Sequence, residues 1–166
     1  MHPAALPDSD LLKQTSLTRG RSSGPGGQHR NRVQTLVTLR HDPSGIEAHA
    51  GERRSPEENK KVALFRLRIA LAVEVRCPVP LGDARSDLWK SRVTDGRIAC
   101  NPRHRDFPAL LAEALDMIEA TRLDTHKAAI RLECSHSQLI KFLKDHPPAL
   151  EHINKLREQK NLHALR

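Results

Sequence analysis

The sequence has 166 residues, 37% of them hydrophobic, enough to bury one ordinary core or two small ones and too many for a disordered tail. Aromatic residues make up only 2%, with one Trp and no Tyr, which argues against a stacking platform for single-stranded nucleic acid. A formal net charge of +8 and a pI near 9.9 point instead to polyanions held through their phosphates, an attraction that falls steeply with salt.

Met1 to Pro7 has neither a basic start nor an apolar run, and no later apolar stretch is long enough to span a bilayer, so a cytoplasmic protein without membrane contact is expected. Asp8-Ser9-Asp10 is read as the cap of a short helix over Leu11, Leu12 and Lys13, and Ser16 to Arg19 as extended. Then comes Arg21-Ser22-Ser23-Gly24-Pro25-Gly26-Gly27-Gln28-His29-Arg30, too rich in glycine and too polar for a helix or a strand. Gly24, Gly26 and Gly27 permit positive φ while Pro25 fixes one φ, so the chain can turn sharply, bring its amides close to a ligand and project Gln28 from the tip. Taken alone, such a loop is more often a flexible linker or a phosphate-cradling turn than a catalytic element. Arg19, Arg21, Arg30 and Arg32 bracket it, as suits entry into a phosphate-rich cavity.

Beyond the loop, Val33, Thr35, Val37 and Leu39 alternate along a strand, Asp42-Pro43-Ser44-Gly45 supplies a turn, and Ile46, Ala48 and Ala50 alternate again, which predicts a hairpin. Ser55-Pro56-Glu57-Glu58 starts a helix, with Ser55 and Glu58 at capping-box spacing. Val62, Phe65, Ile69 and Val73, widened by Ala63, Leu67 and Ala70, give it an apolar stripe expected to pack on the hairpin. Lys60, Lys61, Arg66 and Arg68 lie mostly off that stripe, on a face that is either solvated or turned to RNA.

Cys77-Pro78-Val79-Pro80-Leu81-Gly82 cannot continue a helix. The expected domains are therefore 8–76, a Pro-rich linker 77–85, and a helical module 86–166. Leu88-Trp89-Lys90 reads as a short helix with Trp89 as a core anchor, Arg97-Ile98-Ala99 as extended, and a helix from Pro108 presents Leu110, Leu111, Ala114, Leu115 and Ile118. Asp124 caps a helix through Ala128, Ala129 and Leu132, Glu133-Cys134-Ser135 turns, and Gln138 to Leu143 forms the next helix, ended by His146-Pro147-Pro148. Ala-Ala-x-x-Leu-x-x-Ser-x-x-x-Leu over 128–139 resembles a helix-turn-helix, within about 124–145. That resemblance makes His136, Gln138, Lys141 and Lys144 candidate contacts. Glu133 stands where that family commonly has glycine, so a plain helical hairpin is the alternative. A last helix is expected over about 149–160. Cys77, Cys100 and Cys134 suit free thiols in a reducing compartment, and neither Cys100 with His104 nor Cys134 with His136 has zinc-site spacing, so no metal and no cofactor are expected.

Ser23-Gly24-Pro25-Gly26-Gly27-Gln28-His29, together with Asn31, His41-Asp42-Pro43-Ser44-Gly45-Ile46, Glu52-Arg53-Arg54-Ser55 and Asn59-Lys60, resembles the catalytic domain of class I peptide chain release factors and their codon-independent ribosome-rescue relatives. The likeness runs over about residues 9–73. Arg30 and Arg32 depart from the family's usual Val and Lys, and Pro56 from a common Gln, without touching the tip. The fold implied is α+β: a small mixed sheet with a packed helix and a protruding Gly-Gly-Gln loop, followed here by the all-α module.

No Ser-His-Asp or Cys-His arrangement is legible in the loop domain, and the Gln28 carboxamide cannot act as a general base. Attack of water on an ester needs a positioned water and charge stabilisation at oxygen, which backbone N–H groups supply. The resemblance assigns those tasks to Gly26, Gly27 and Gln28, and implies as substrate the ester of peptidyl-tRNA in the large-subunit peptidyl-transferase centre of the ribosome. The basic side chains Arg19, Arg21, Arg30, Arg32, Lys60 and Lys61, with Lys141 and Lys144 of the helical module, are the expected rRNA contacts, and the resemblance implies a methyltransferase acting on Gln28. A monomer is expected. No Pro-x-Thr or Ser-Pro-Phe tripeptide of the kind that reads stop codons occurs, so codon reading is not expected. The alternative is a noncatalytic ribosome or nucleic-acid binder that uses the helical module. Residues 1–76 carry 13 basic and 8 acidic side chains against 15 and 12 in residues 77–166, so the charge excess favours the loop domain.

Overall fold

The computed structural model describes residues 1–21 and 35–166. By its contacts the chain divides into two compact units, Leu6–Leu71, and Ala72–Arg166 together with Met1–Ala5.

In the first unit, α1 (Asp8–Lys13) starts after Pro7, with Asp8 and Asp10 inside its first turn, where they complement the helix dipole, and not at the cap. Three strands follow, β1 (Thr15–Gly20), β2 (Leu36–His41) and β3 (Glu47–Ala50), in the order β1-β2-β3. Both pairings are antiparallel, so the sheet is not the mixed one expected: each strand pairs with its neighbour in sequence and no crossover helix intervenes. Val37, Leu39, Ala48 and Ala50 alternate onto the buried face. The β2–β3 turn is closed by Gly45 N–H donating to the His41 carbonyl and His41 N–H to that of Ile46, with Gly45 at φ +72°. Ile46 stands just ahead of β3, and Val33, expected in the second strand, lies outside the described residues.

Helix α2 (Pro56–Glu74) buries Ala63 and Leu67 of the expected stripe but turns its larger members partly outward. Asn59, Ala63, Leu67 and Leu71, spaced by four, are fully buried, while Val62, Phe65, Ile69, Ala70 and Val73 are half-buried. Two of the arginines expected on a free face are internal ties. Arg66 donates to the His49 carbonyl at 2.8 Å and pairs with Glu52 at 2.5 Å, and Arg68, buried, pairs with Asp8 at 2.6 Å.

In the second unit a 3-10 turn over Pro3–Ala5 packs on α4 (Phe107–Ala120). Helix α3 (Asp87–Arg92) is capped by Ser86, whose side chain accepts from Trp89 N–H. It leads into β4 (Val93–Thr94) and β5 (Arg97–Ile98), joined by Asp95 and Gly96 at φ +49° and +74°. A module expected to be all-α therefore holds one two-stranded hairpin, for which an Asp-Gly pair is the usual turn. Leu110, Leu111, Ala114, Leu115 and Ile118 of α4 are fully buried, as expected. So is Trp89, whose Nε1–H donates to the Leu132 carbonyl at 2.8 Å and whose ring meets Phe142 edge-on at 6.3 Å.

Helices α5 (Thr125–Arg131) and α6 (His136–Lys144) form the anticipated pair, with the Asp124 side chain accepting from His126 and Lys127 N–H, and that of Ser135 from Gln138 N–H. Glu133 between them adopts φ +50°, the left-handed turn that glycine would supply, and is held by Arg85. Pro147 and Pro148 do more than end α6: they are the first turn of α7 (Pro147–Gln159), where a missing N–H costs nothing. All three cysteines are free thiols. No helix among the described residues is long and apolar enough to cross a membrane.

Candidate active site

The register of β1 against β2 places Gly20 opposite Leu36, so residues 21–35 join two paired strands at one end of the sheet. Gly26, Gly27, Gln28, Arg30 and Arg32 lie outside the described residues. What is described is the root of their loop. On the incoming side a Cβ on Gly20 would stand 3.4 Å from Leu36 Cδ2, a tight but ordinary contact. Arg19 is half exposed and lies 3.6 Å from Glu57 in the first turn of α2, a loose surface pair worth about 0–1 kcal/mol that a phosphate can displace. Arg21 is exposed.

On the outgoing side the root is held by Asn59. Its side chain is fully buried, its Nδ2 donates to the Thr35 carbonyl at 2.7 Å and the Arg53 carbonyl at 2.9 Å, and its Oδ1 accepts from Arg53 N–H at 2.9 Å. A buried amide satisfied on both sides orients the backbone it bonds, since any other placement leaves polar groups unpaired. Asn59 thus ties the end of the loop and the 53–54 turn to α2. Sequence reasoning noted it as part of a motif without giving it this task. Lys60 and Lys61 follow it, half-buried and exposed, with no ion pair among the described residues.

His41, at the far end of β2, is buried, with Nδ1 2.7 Å from Ser44 Oγ and Nε2 3.3 Å from Gln14 Oε1. Nε2 faces an acceptor and so carries the proton, which leaves Nδ1 to accept from the Ser44 hydroxyl. Burial pushes the His41 pKa below the ordinary imidazole value, the nearby Asp42 carboxylate opposing. The ring staples the β2–β3 turn and is no catalytic base.

In the second unit Lys141 and Lys144 are exposed on α6 without ion pairs among the described residues, and Gln138 is half-buried. His136 does not belong with them. Its ring stacks on His126 at 3.6 Å with 13° between planes, and its Nε2 lies 2.9 Å from Thr125 Oγ1, so it braces α5 against α6. Burial lowers its pKa, with His126 and Arg157 adding to the effect. Among the described residues, neither Cys100 with His104 nor Cys134 with His136 belongs to a cluster of metal-ligating type. Among the described residues one such trio exists, His2, Cys77 and Asp116, which lie 75 and 39 residues apart in sequence and give no local signal.

Residues 5–95 match the RF-1 domain family model. The chain is 32% identical to peptide chain release factor 1 of Chlorobaculum tepidum over 137 residues, 74% of this chain and 35% of that protein. It is 38% identical over 88 residues to a chloroplastic peptide chain release factor of Arabidopsis thaliana, 52% of this chain and 18% of the other. It is also 47% identical over 49 residues to an uncharacterised mitochondrial release factor-like protein of Saccharomyces cerevisiae, 30% of this chain and 32% of that one. The chain thus spans about a third or less of the length of these relatives.

Proposed function

The chain belongs to the RF-1 domain family of peptide chain release factors, and on that premise we propose that it hydrolyses the ester of peptidyl-tRNA on the ribosome without reading a stop codon. The observation that carries the reading is an intact Gly26-Gly27-Gln28 between two paired strands, inside the segment that matches the family. Residues 8–76 are the catalytic domain in this reading, 77–85 the linker, and 86–166 a module that directs the protein to its ribosomal state.

The chemistry follows from what a glutamine tip has to offer. In this reading Gly26 and Gly27 leave the backbone free to take conformations that a Cβ would oppose, the Gln28 main-chain N–H stabilises the charge developing on oxygen, and the Gln28 side chain shapes the space for one water. Proximity supplies the rest: a water held against the ester carbon reacts in a unimolecular step. Arg19, Arg21, Arg30 and Arg32 meet rRNA phosphates around the loop, joined by Lys60 and Lys61, while Asn59 holds the outgoing strand so that the tip arrives in one register. Lys141 and Lys144, exposed and unpaired among the described residues, favour a hold on RNA that depends on charge and not on codon identity. The protein acts as a cytoplasmic monomer, and Gln28 is the atom group a methyltransferase would modify.

The test is single-turnover peptide release at saturating protein, on ribosomes with and without a stop codon in the decoding site. The parent releases at one rate on both. Gly27→Ala and Gln28→Ala bind as the parent does but release slowly, loss of one oxyanion-type donor costing about 3 kcal/mol, roughly a hundredfold. Release at the parent rate by both variants would leave a noncatalytic binder as the better reading.

A further inference from the structure

The trio found in the second unit has the composition of a metal site. His2, Cys77 and Asp116 each bring one ligand atom to within 4.8 Å of the other two, and His2 and Asp116 are buried while Cys77 is half-buried. A tetrahedral zinc with bonds of about 2.0 Å to nitrogen and oxygen and about 2.3 Å to sulfur sets its ligands roughly 3.3–3.6 Å apart, so a modest closure is all that is needed.

The hydrogen bonds around the trio are arranged as outer partners of such a site. His2 Nε2 lies 3.0 Å from the Val75 carbonyl and so carries the proton, and Nδ1, which accepts from Ala4 N–H at 3.0 Å, holds the lone pair. Metal-bound histidines typically donate the other ring N–H to a backbone carbonyl, which fixes tautomer and ring plane together. Asp116 Oδ1 accepts from Cys77 N–H at 3.1 Å and from Arg76 Nη1 at 3.0 Å, which leaves Oδ2. The Cys77 thiol takes part in no hydrogen bond among the described residues. All three side chains line a cavity of about 410 Å³, which Glu113 also lines, three residues before Asp116 on α4. The cavity gives an ion a way in and leaves room for a water as fourth ligand.

We propose that His2, Cys77 and Asp116 form a site for a zinc-like divalent cation. A thiolate and an imidazole beside one carboxylate favour a borderline-soft ion over magnesium or calcium. On binding, the Cys77 thiol passes its proton to solvent, and the His2 Nδ1 lone pair turns from the Ala4 amide to the ion. Thiolate and carboxylate balance a dipositive ion, with the Arg76 guanidinium kept on Asp116 Oδ1 at 3.0 Å. The ion ties the segment before the 3-10 turn, the chain after α2, and α4 to one point.

The experiment uses the full chain without a histidine tag, stripped with a chelator and titrated with cobalt(II). The site gives a thiolate-to-cobalt charge-transfer band that saturates at one equivalent and is bleached by zinc. Cys77→Ser abolishes the band, His2→Ala weakens cobalt binding about tenfold or more, and Cys100→Ser keeps the band unchanged. Zinc raises the unfolding midpoint of the parent and not of Cys77→Ser, a comparison that holds if that variant is somewhat less stable. Absence of the band in the parent, its persistence in Cys77→Ser, or its loss in Cys100→Ser would each overturn the proposal.

Discussion

Replacing Asn59 by Asp and by Ala separates its role as a clamp from its role as filler. Asn59 makes three hydrogen bonds from a fully buried position, two as donor to carbonyls and one as acceptor. Asn59→Ala removes all three and leaves the Thr35 carbonyl short of a partner in a half-buried place, while the Arg53 groups, at the surface, turn to water. At about 1 kcal/mol per bond, reduced where water steps in, the loss comes to about 2–3 kcal/mol. Asn59→Asp keeps the shape, yet it puts a carboxylate oxygen where two carbonyls expect a donor, and it buries a charge. That costs about 3–5 kcal/mol, so the closer mimic is the more damaging change. Urea unfolding followed by circular dichroism reads the order of the two. Release assays read the consequence: with the outgoing strand unheld, folded Asn59→Ala loses about a hundredfold in single-turnover release, the penalty of roughly 1 Å of misplacement, while ribosome binding is kept. An Asp variant no less stable than the Ala variant, or parent-rate release from folded Asn59→Ala, would refute the clamp.

Glu133→Gly and Glu133→Ala both remove the contact with Arg85, so their difference reports only the left-handed backbone at φ +50°; Gly should be the more stable by about 0.5–1 kcal/mol in denaturant unfolding, and equal stabilities would show that the turn has relaxed. His41 is held below its ordinary pKa, so the unfolded chain takes up its proton first: its contribution is complete above about pH 6.5 and is lost as pH falls through the folded value. Unfolding free energy measured from pH 7.5 to 5 should therefore fall less steeply in His41→Gln than in the parent, and parallel curves would count against the linkage. Trp89→Phe leaves the buried Leu132 carbonyl without its donor and should cost about 2 kcal/mol by circular dichroism melts, more than the loss of ring area accounts for; a loss below about 0.5 kcal/mol would mean that water replaces the indole.

The elements that carry their own punctuation were legible in the sequence. Asp124 caps α5, Asp42 to Gly45 turns the chain, and the Leu110 to Ile118 face of α4 is buried, each from a signal contained in a few residues. The phase of α2 was legible only in part, through Ala63 and Leu67. Its buried stripe begins with a polar Asn59 and runs beside a buried Arg68, so size and hydrophobicity pointed to Val62, Phe65, Ile69 and Val73 instead. The bonds from Asn59 to Thr35 and from Arg66 to His49 help fix which face turns to the strands. Prolines 147 and 148 stop one helix and start the next, and local rules gave the first meaning alone. Gly26, Gly27 and Gln28 stood out because backbone freedom and a lone amide tip are written in adjacent residues. His2, Cys77 and Asp116 did not, since nothing in three distant stretches announces a meeting.

The 3-10 turn that packs on α4 sets a schedule for the chain as it is made. Its residues are synthesised about a hundred residues ahead of their partners, Phe107 to Ala120. At about 10 residues per second, residues 1–5 wait roughly 10 s for the helix they belong to. During that interval Leu6 to Leu71 can already gather its own unit, while the second unit must bring residues 1–5 together with residues 72–166 before its core can close. A nascent chain arrested once Arg76 has cleared the ribosome therefore presents a foldable sheet unit, while residues 1–5 have nothing yet to dock on. Protease pulses on arrested chains of increasing length would time the protection of those residues.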